Sequence, residues 1–237
     1  HQLFWESTLR CNLNCKHCGS DCKKDSIIPD MPLDDFIKVL ESVAKKVNPQ
    51  TVFVIISGGE PLMRKDIELC GIEIQKRGFR WGMVSNGYEL TTKRFCGLLN
   101  AGLSSLTLSV DGLENEHNWL RGNEKSFEKV DSAISVITNF PQITFDVVTC
   151  VNRRNYQQLN ELKYYLIRKK VKRWRLFTIF PVGRAAKNKD LILSDEEFRG
   201  VLEFIMSTRR ENVIKLNYGC EGFLGNYENE VRDHLFS

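Results

Sequence analysis

The chain has 237 residues, enough for one large α/β domain or two small ones, and its 42% hydrophobic and 27% charged content excludes disordered and fibrous classes. Lys and Arg exceed Asp and Glu by 34 − 30 = 4, a basic excess far below that of dedicated nucleic-acid domains. No apolar run approaches the roughly 20 residues that span a bilayer. The sequence also lacks a basic, then apolar, then small-residue leader.

Strand-like sequence starts almost at once, at Leu3, so the chain reads as a segment of a longer protein. Leu3–Thr8 is a short strand running into a cysteine cluster. After Pro32, apolar residues at Phe36, Val39, Leu40, Val43 and Val47 line one face of a helix. Val52 to Ile56 is a continuous apolar run ended by Gly58-Gly59, as in a parallel strand covered on both faces. Ile67–Arg77 reads as a helix, Arg80–Ser85 as a strand, and Thr92–Ala101 as a helix stopped by Gly102. Leu106–Val110 is the next strand, and Ser126 caps a helix with Val130, Ala133, Ile134 and Ile137 on its apolar face. Ile143–Cys150 is a strand, Leu159, Leu162 and Leu166 mark a helix, and Trp174–Phe180 is a strand. Ser194 and Glu197 have the capping-box spacing ahead of a last apolar helix face. The Gly- and Asn-rich tail from Asn212 reads as loop, with a domain boundary near Glu211.

Six strands alternating with helices imply an α/β fold with a parallel sheet and right-handed crossovers, either doubly wound or an open barrel. Of eight cysteines, four crowd into Cys11–Cys22, while Cys70, Cys96, Cys150 and Cys220 are scattered. Without a signal sequence, such clustering suits metal or redox chemistry in a reducing cytoplasm better than a disulfide framework.

Cys11, Cys15 and Cys18 have the spacing C-x3-C-x2-C in a loop after a strand. A short loop can wrap three thiolates around an iron–sulfur cubane, and three ligands on four irons leave one iron open to a substrate. Structural zinc is the rival, but zinc ligands normally come as two separated pairs. Cys22 could close the fourth iron and make an electron carrier; otherwise it is an ordinary thiol in a loop.

The cysteine spacing after the first strand, together with Gly58-Gly59-Glu60-Pro61 after the second, resembles the radical S-adenosylmethionine superfamily over nearly the whole chain. That resemblance implies a partial (βα)6 barrel over 1–211. It also implies a [4Fe–4S] cluster on Cys11, Cys15 and Cys18, and S-adenosylmethionine on the open iron. Reductive cleavage would give a 5′-deoxyadenosyl radical that abstracts hydrogen from a substrate, with no acid or base residue needed in the cleavage. The family usually has an aromatic ring before the third cysteine; His17 stands there and can pack on the adenine or cluster edge, or alternatively serve as a metal ligand.

Active sites of such folds gather at the carboxyl ends of strands. By the resemblance, Gly58, Gly59, Glu60 and Pro61 hold the methionine amino group. Ser109 and Arg121 face the methionine carboxylate, and Asp111 lies nearby. Ser85 and Asn86, which end the third strand, suit ribose or carboxylate recognition, and Asn152, after the fifth, resembles the family's ribose-contacting polar residue. Val182, with its neighbours Pro181 and Gly183, offers backbone to the adenine edge. Asn86-Gly87 and Asp111-Gly112 are equally ordinary turn sequences.

Pro181-Val182-Gly183-Arg184-Ala185, a helix and then Tyr218-Gly219-Cys220 resemble the branch with a C-terminal SPASM or twitch extension, begun here over 212–237 and incomplete. Such extensions bind auxiliary clusters, which Cys220 alone cannot furnish. The branch often modifies peptides or proteins, and that is the substrate class the resemblance implies, with a flavodoxin or ferredoxin as electron donor. RNA or a small metabolite is the alternative. The basic run Arg168–Arg175 lies where a helix ends and complements its dipole, so nucleic acid is not an expected partner, and the lack of a bilayer-long apolar run argues against a membrane.

Overall fold

The computed structural model describes residues 1–220 and 222–233; residues 221 and 234–237 of the expected C-terminal extension lie outside them. Strands β1 (Gln2–Glu6), β2 (Phe53–Ser57), β3 (Arg80–Ser85), β4 (Leu103–Ser109), β5 (Thr144–Val151), β6 (Arg173–Thr178) and β7 (Lys215–Tyr218) succeed one another in sequence order. Helices α1 (Leu33–Ala44), α2 (Ile67–Lys76), α3 (Thr92–Asn100), α4 (Glu114–Arg121), α5 (Ser126–Ile137), α6 (Leu159–Arg168), α7 (Asp195–Glu211) and α8 (Glu228–Val231) fill the intervals. The alternation is that of the expected α/β fold with one strand more. The tail read as loop contains β7, paired in parallel with β6, and the short α8.

The chain forms two compact units. The first comprises residues 1–14, 20–108 and 129–144, and pairs β1, β2, β3 and β4 in parallel. One face of these strands is apolar because alternate residues point the same way: Leu3, Val54 and Trp81 share a register row, as do Trp5, Ile56 and Met83. Trp5 stacks on Phe36 of α1 at 3.8 Å, and Phe95 of α3 meets Phe140 edge-on at 5.1 Å. Trp81 is fully buried and satisfies its indole N–H on the Ala101 carbonyl at 3.0 Å. Burying an aromatic side chain of this size contributes about 2–3 kcal/mol. The other face, with Phe4, Ile55, Gly82 and Ser105 in one row, is only partly covered. The run in β2 is therefore fully covered on one side and not, as its sequence suggested, on both.

The second unit comprises residues 15–19, 109–128 and 145–237 and pairs β5, β6 and β7 in parallel. Trp174 anchors it, fully buried, with its N–H on Thr149 Oγ1 at 2.9 Å and its ring edge-on to Phe204 of α7. The capping box forms as read: Ser194 Oγ accepts the Glu197 amide while Glu197 accepts the Ser194 amide. No helix is long and apolar enough to cross a membrane among the described residues.

Candidate active site

In the first unit, the end of β2 lies against the start of the cysteine loop. Gly59 N–H donates to the Thr8 carbonyl at 2.7 Å and Glu60 N–H to the Arg10 carbonyl at 2.9 Å. A Cβ on Gly58 would stand 2.3 Å from Thr8 O, and one on Gly59 2.3 Å from Arg10 O. The close approach these glycines permit is thus to the chain's own cysteine-loop backbone. Glu60 is fully buried; its carboxylate accepts the Leu62 amide (3.1 Å), the Ser85 hydroxyl (2.8 Å) and the Asn86 amide (2.7 Å), tying the end of β2 to the end of β3. Pro61 opens a buried turn beside it. Asn86 Nδ2 donates to Asn12 Oδ1 at 2.8 Å and reaches Cys11 Sγ at 3.9 Å. The first unit therefore gathers Cys11, Gly58, Gly59, Glu60, Pro61, Ser85 and Asn86.

In the second unit, His117 and Arg121 stand four residues apart on α4 and so share one face, turned to Asp111 just past β4. Arg121 Nη2 pairs with Asp111 Oδ2 at 2.7 Å, and its Nη1 donates to Cys15 Sγ at 3.7 Å. Asp111 Oδ1 accepts the Cys150 amide at 2.9 Å, and the Asp111 amide donates to His117 Nδ1 at 3.0 Å. A backbone amide can only donate, so Nδ1 is the bare nitrogen and Nε2 carries the proton toward Ser126 Oγ, 3.0 Å away. His17 Nε2 lies 3.7 Å from Asp111 Oδ2.

Burial governs the protonation of this group. It lowers His17 to about 4 and His117 to about 3, Arg121 adding to both, so both rings are neutral at pH 7. Burial would raise Asp111, but the Arg121 guanidinium, helped by the Cys150 amide, holds its carboxyl below the usual range. Burial pushes the Cys15 thiol up against the pull of Arg121. Arg121 is held more firmly protonated than usual; burial opposes this, and Asp111 and Cys15 outweigh it.

The other residues singled out by sequence sit at the edges of this arrangement. Ser109 ends β4, half-buried. Asn152 is buried and forms a turn, its Nδ2 donating to Cys150 O and its Oδ1 accepting the Arg154 amide. Val182 is 46% exposed, and its amide donates to Phe180 O. Sequence reasoning missed Asn12, His117, Arg184 and Asn188. His117 carried a readable signal, its four-residue offset from Arg121; the other three depend on contacts between distant segments.

The residues present fit an absent polar, sulfur-bound group. Cys11 and Cys15 are both buried, each within reach of an N–H donor, and donors to sulfur are the usual surroundings of iron–sulfur thiolates. Asn12 Nδ2, His17 Nδ1 and Arg121 Nε are buried polar atoms without a hydrogen-bond partner among the described residues. Buried polar groups are normally satisfied, so the two in the second unit, on His17 and Arg121, have capacity left for a polar partner near Cys15. No three His, Cys, Asp or Glu side chains among the described residues are gathered as a single ion requires.

Comparison with known proteins agrees. The chain is 28% identical over 220 residues to the AdoMet-dependent heme synthase of Nitratidesulfovibrio vulgaris, covering 92% of this chain and 59% of that protein. It is 24% identical over 195 residues to the PqqA peptide cyclase of Rhizobium meliloti, covering 82% and 51%. The chain thus spans between about half and three fifths of the length of these curated relatives. Its fold matches Streptococcus suis SuiB bound to S-adenosylmethionine with a TM-score of 0.74 at 18% identity, covering 94% of this chain and 50% of SuiB, which is also known bound to its precursor peptide SuiA. The family model described as the Radical SAM superfamily matches residues 5–164. The chain belongs to the radical SAM superfamily of enzymes, whose cofactors are a [4Fe–4S] cluster and S-adenosylmethionine.

Proposed function

We propose that Cys11, Cys15 and Cys18 hold the cluster and that S-adenosylmethionine lies along the strand ends. In this reading Gly58, Gly59, Glu60 and Pro61 take the amino group, Ser109 and Arg121 the carboxylate, and Ser85, Asn86 and Asn152 the sugar. Asp111 sets the aim of Arg121, and the backbone at Val182 takes the adenine edge. The observation that carries the reading is that Asn86 and Arg121 each direct an N–H at a buried cysteine sulfur. When bound, the two cofactors supply a 5′-deoxyadenosyl radical that abstracts hydrogen from the substrate. The chain's own groups orient and shield. Arg121 offsets negative charge at Cys15, the neutral His117 fixes the Asp111 backbone, and burial keeps water out.

The substrate class we propose is a peptide or protein, supported by the likeness to PqqA peptide cyclase and by the Pro181–Ala185 and Tyr218–Cys220 pattern. In this reading residues from 212 onward begin a SPASM- or twitch-like extension, and a flavodoxin or ferredoxin supplies electrons. A heme precursor is the second reading, favoured by the higher identity to the heme synthase.

Anaerobic reconstitution with iron and sulfide, reduction and addition of S-adenosylmethionine should release 5′-deoxyadenosine. Cys15→Ala should abolish it and Cys22→Ala should retain it. A parent that builds a cluster without cleaving, and loses that cluster in Cys22→Ala, would refute the open-iron reading. Loss of a hydrogen from added peptide or from added heme precursor then decides the substrate.

A further inference from the structure

The five residues Cys15 to Gly19 of the cysteine loop are held by one short segment after β6. Arg184 Nε donates to the Cys15 carbonyl at 2.7 Å, the Arg184 amide donates to the Cys18 carbonyl at 2.9 Å, and Asn188 Nδ2 donates to the Lys16 carbonyl at 3.0 Å. From the other side, the Lys16 amide donates to the Leu120 carbonyl at 2.8 Å. Gly183 lets the two backbones touch: a Cβ there would stand 2.2 Å from Gly19 O and 2.6 Å from Cys18 O, at a φ of +58°. The side chain of Ala185 packs with Leu120, Ile179 and Leu191, so the segment is itself anchored in the core.

We propose that Arg184 and Asn188, with Gly183 beneath them, are positioning residues that hold the cysteine loop in its ligating shape before any iron is present. The proposal rests on the reading of Cys15 and Cys18 as cluster ligands. A loop that presents thiolates must fix several backbone dihedrals, and an iron-free loop left loose would have to order on binding. Fastening carbonyls 15, 16 and 18 fixes the Cα–Cβ directions of both cysteines without using a sulfur. Arginine suits this work because its fork donates from a fixed plane, and a charged donor to a carbonyl is stronger than a neutral one.

The test uses the full chain, first iron-free and then reconstituted. In iron-free Arg184→Ala, the amides of Lys16 and Cys18 should exchange with solvent about tenfold or more faster than in the parent, as loss of a charged hydrogen bond implies. Amides of β5 and β6 should not change. After reconstitution, a chelator should strip iron from the variant correspondingly faster, and Arg184→Lys should restore much of the difference. Asn188→Ala should move both readouts in the same direction, and it carries the test if Arg184→Ala does not fold. Loop exchange equal to the parent's in both variants, or raised by the same factor across β5 and β6, would overturn the proposal. The ligand reading fails separately, if Cys15→Ala still assembles a full cluster.

Discussion

Arg121 keeps its positive charge at only 7% exposure, and Asp111 beside it is 1% exposed. An ion pair so placed adds little net stability, because desolvation offsets the attraction, but removing one partner strands the other charge. Arg121→Met should therefore cost about 3 kcal/mol, and Asp111→Asn a similar amount. The double variant should lose at least about 1 kcal/mol less than the sum, because one charge is no longer left alone. Urea denaturation of the iron-free proteins measures all three, and strictly additive losses would show that the two side chains do not depend on each other. Both residues were legible in the sequence as candidates, one in Ser-x-Asp-Gly and one in the segment after it. Their partnership was not, because a sequence does not say whether a carboxylate and a guanidinium face a ligand or each other.

At the scale of elements, the strands and most helices were readable because their periods are clean, and Arg80–Ser85 has the bounds read from sequence. Helix α4 was not readable as a helix. Its sequence is Glu-Asn-Glu-His-Asn-Trp-Leu-Arg, and its buried residues are His117, Leu120 and Arg121, so two of three inward positions are polar. β7 was hidden by its four-residue length and by the buried Asn217, which donates to Asp233 and accepts from Arg209. The Gly-Gly pair after β2 was legible as a place of close approach, though the approaching partner was not. That partner gives a test. Gly59→Ala would drive a Cβ to 2.3 Å from the Arg10 carbonyl, and fixed backbone cannot yield cheaply. We expect a loss of about 1–3 kcal/mol. In Gly97→Ala, on α3, the nearest atom is 3.6 Å away in the Glu68 side chain, and helix propensity should make that change neutral or stabilising by up to about 1 kcal/mol. Equal losses in the two variants would mean that the contact between the β2 end and the cysteine loop is not what the glycine serves.

For the whole molecule, His117 sets an acid limit. It is fully buried, and burial with the nearby Arg121 lowers it from 6.5 to about 3. An unfolded chain takes up the proton near 6.5 and the folded chain only near 3, so between these values the unfolded state binds more protons. Stability from this group is fully present above pH 6.5 and is lost as the pH falls toward 3. The loss approaches a slope of about 1.4 kcal/mol per pH unit, that of one proton. Aspartates with lowered values, such as Asp111, lose their contribution only as the pH falls below their ordinary 3.8, and the lowered glutamates Glu73, Glu196 and Glu197 below theirs of 4.5, so the upper part of the window belongs to histidine. His117→Asn separates the two. An asparagine oxygen can accept the Asp111 amide in place of Nδ1 but does not titrate. Measured by urea denaturation of the iron-free chain between pH 6 and pH 4.5, the variant's stability should fall less steeply than the parent's by up to about 1.4 kcal/mol per pH unit. Parallel slopes would mean that His117 takes up its proton at the same pH folded as unfolded. The acceptance of the Asp111 amide by His117 Nδ1 would then have no thermodynamic consequence.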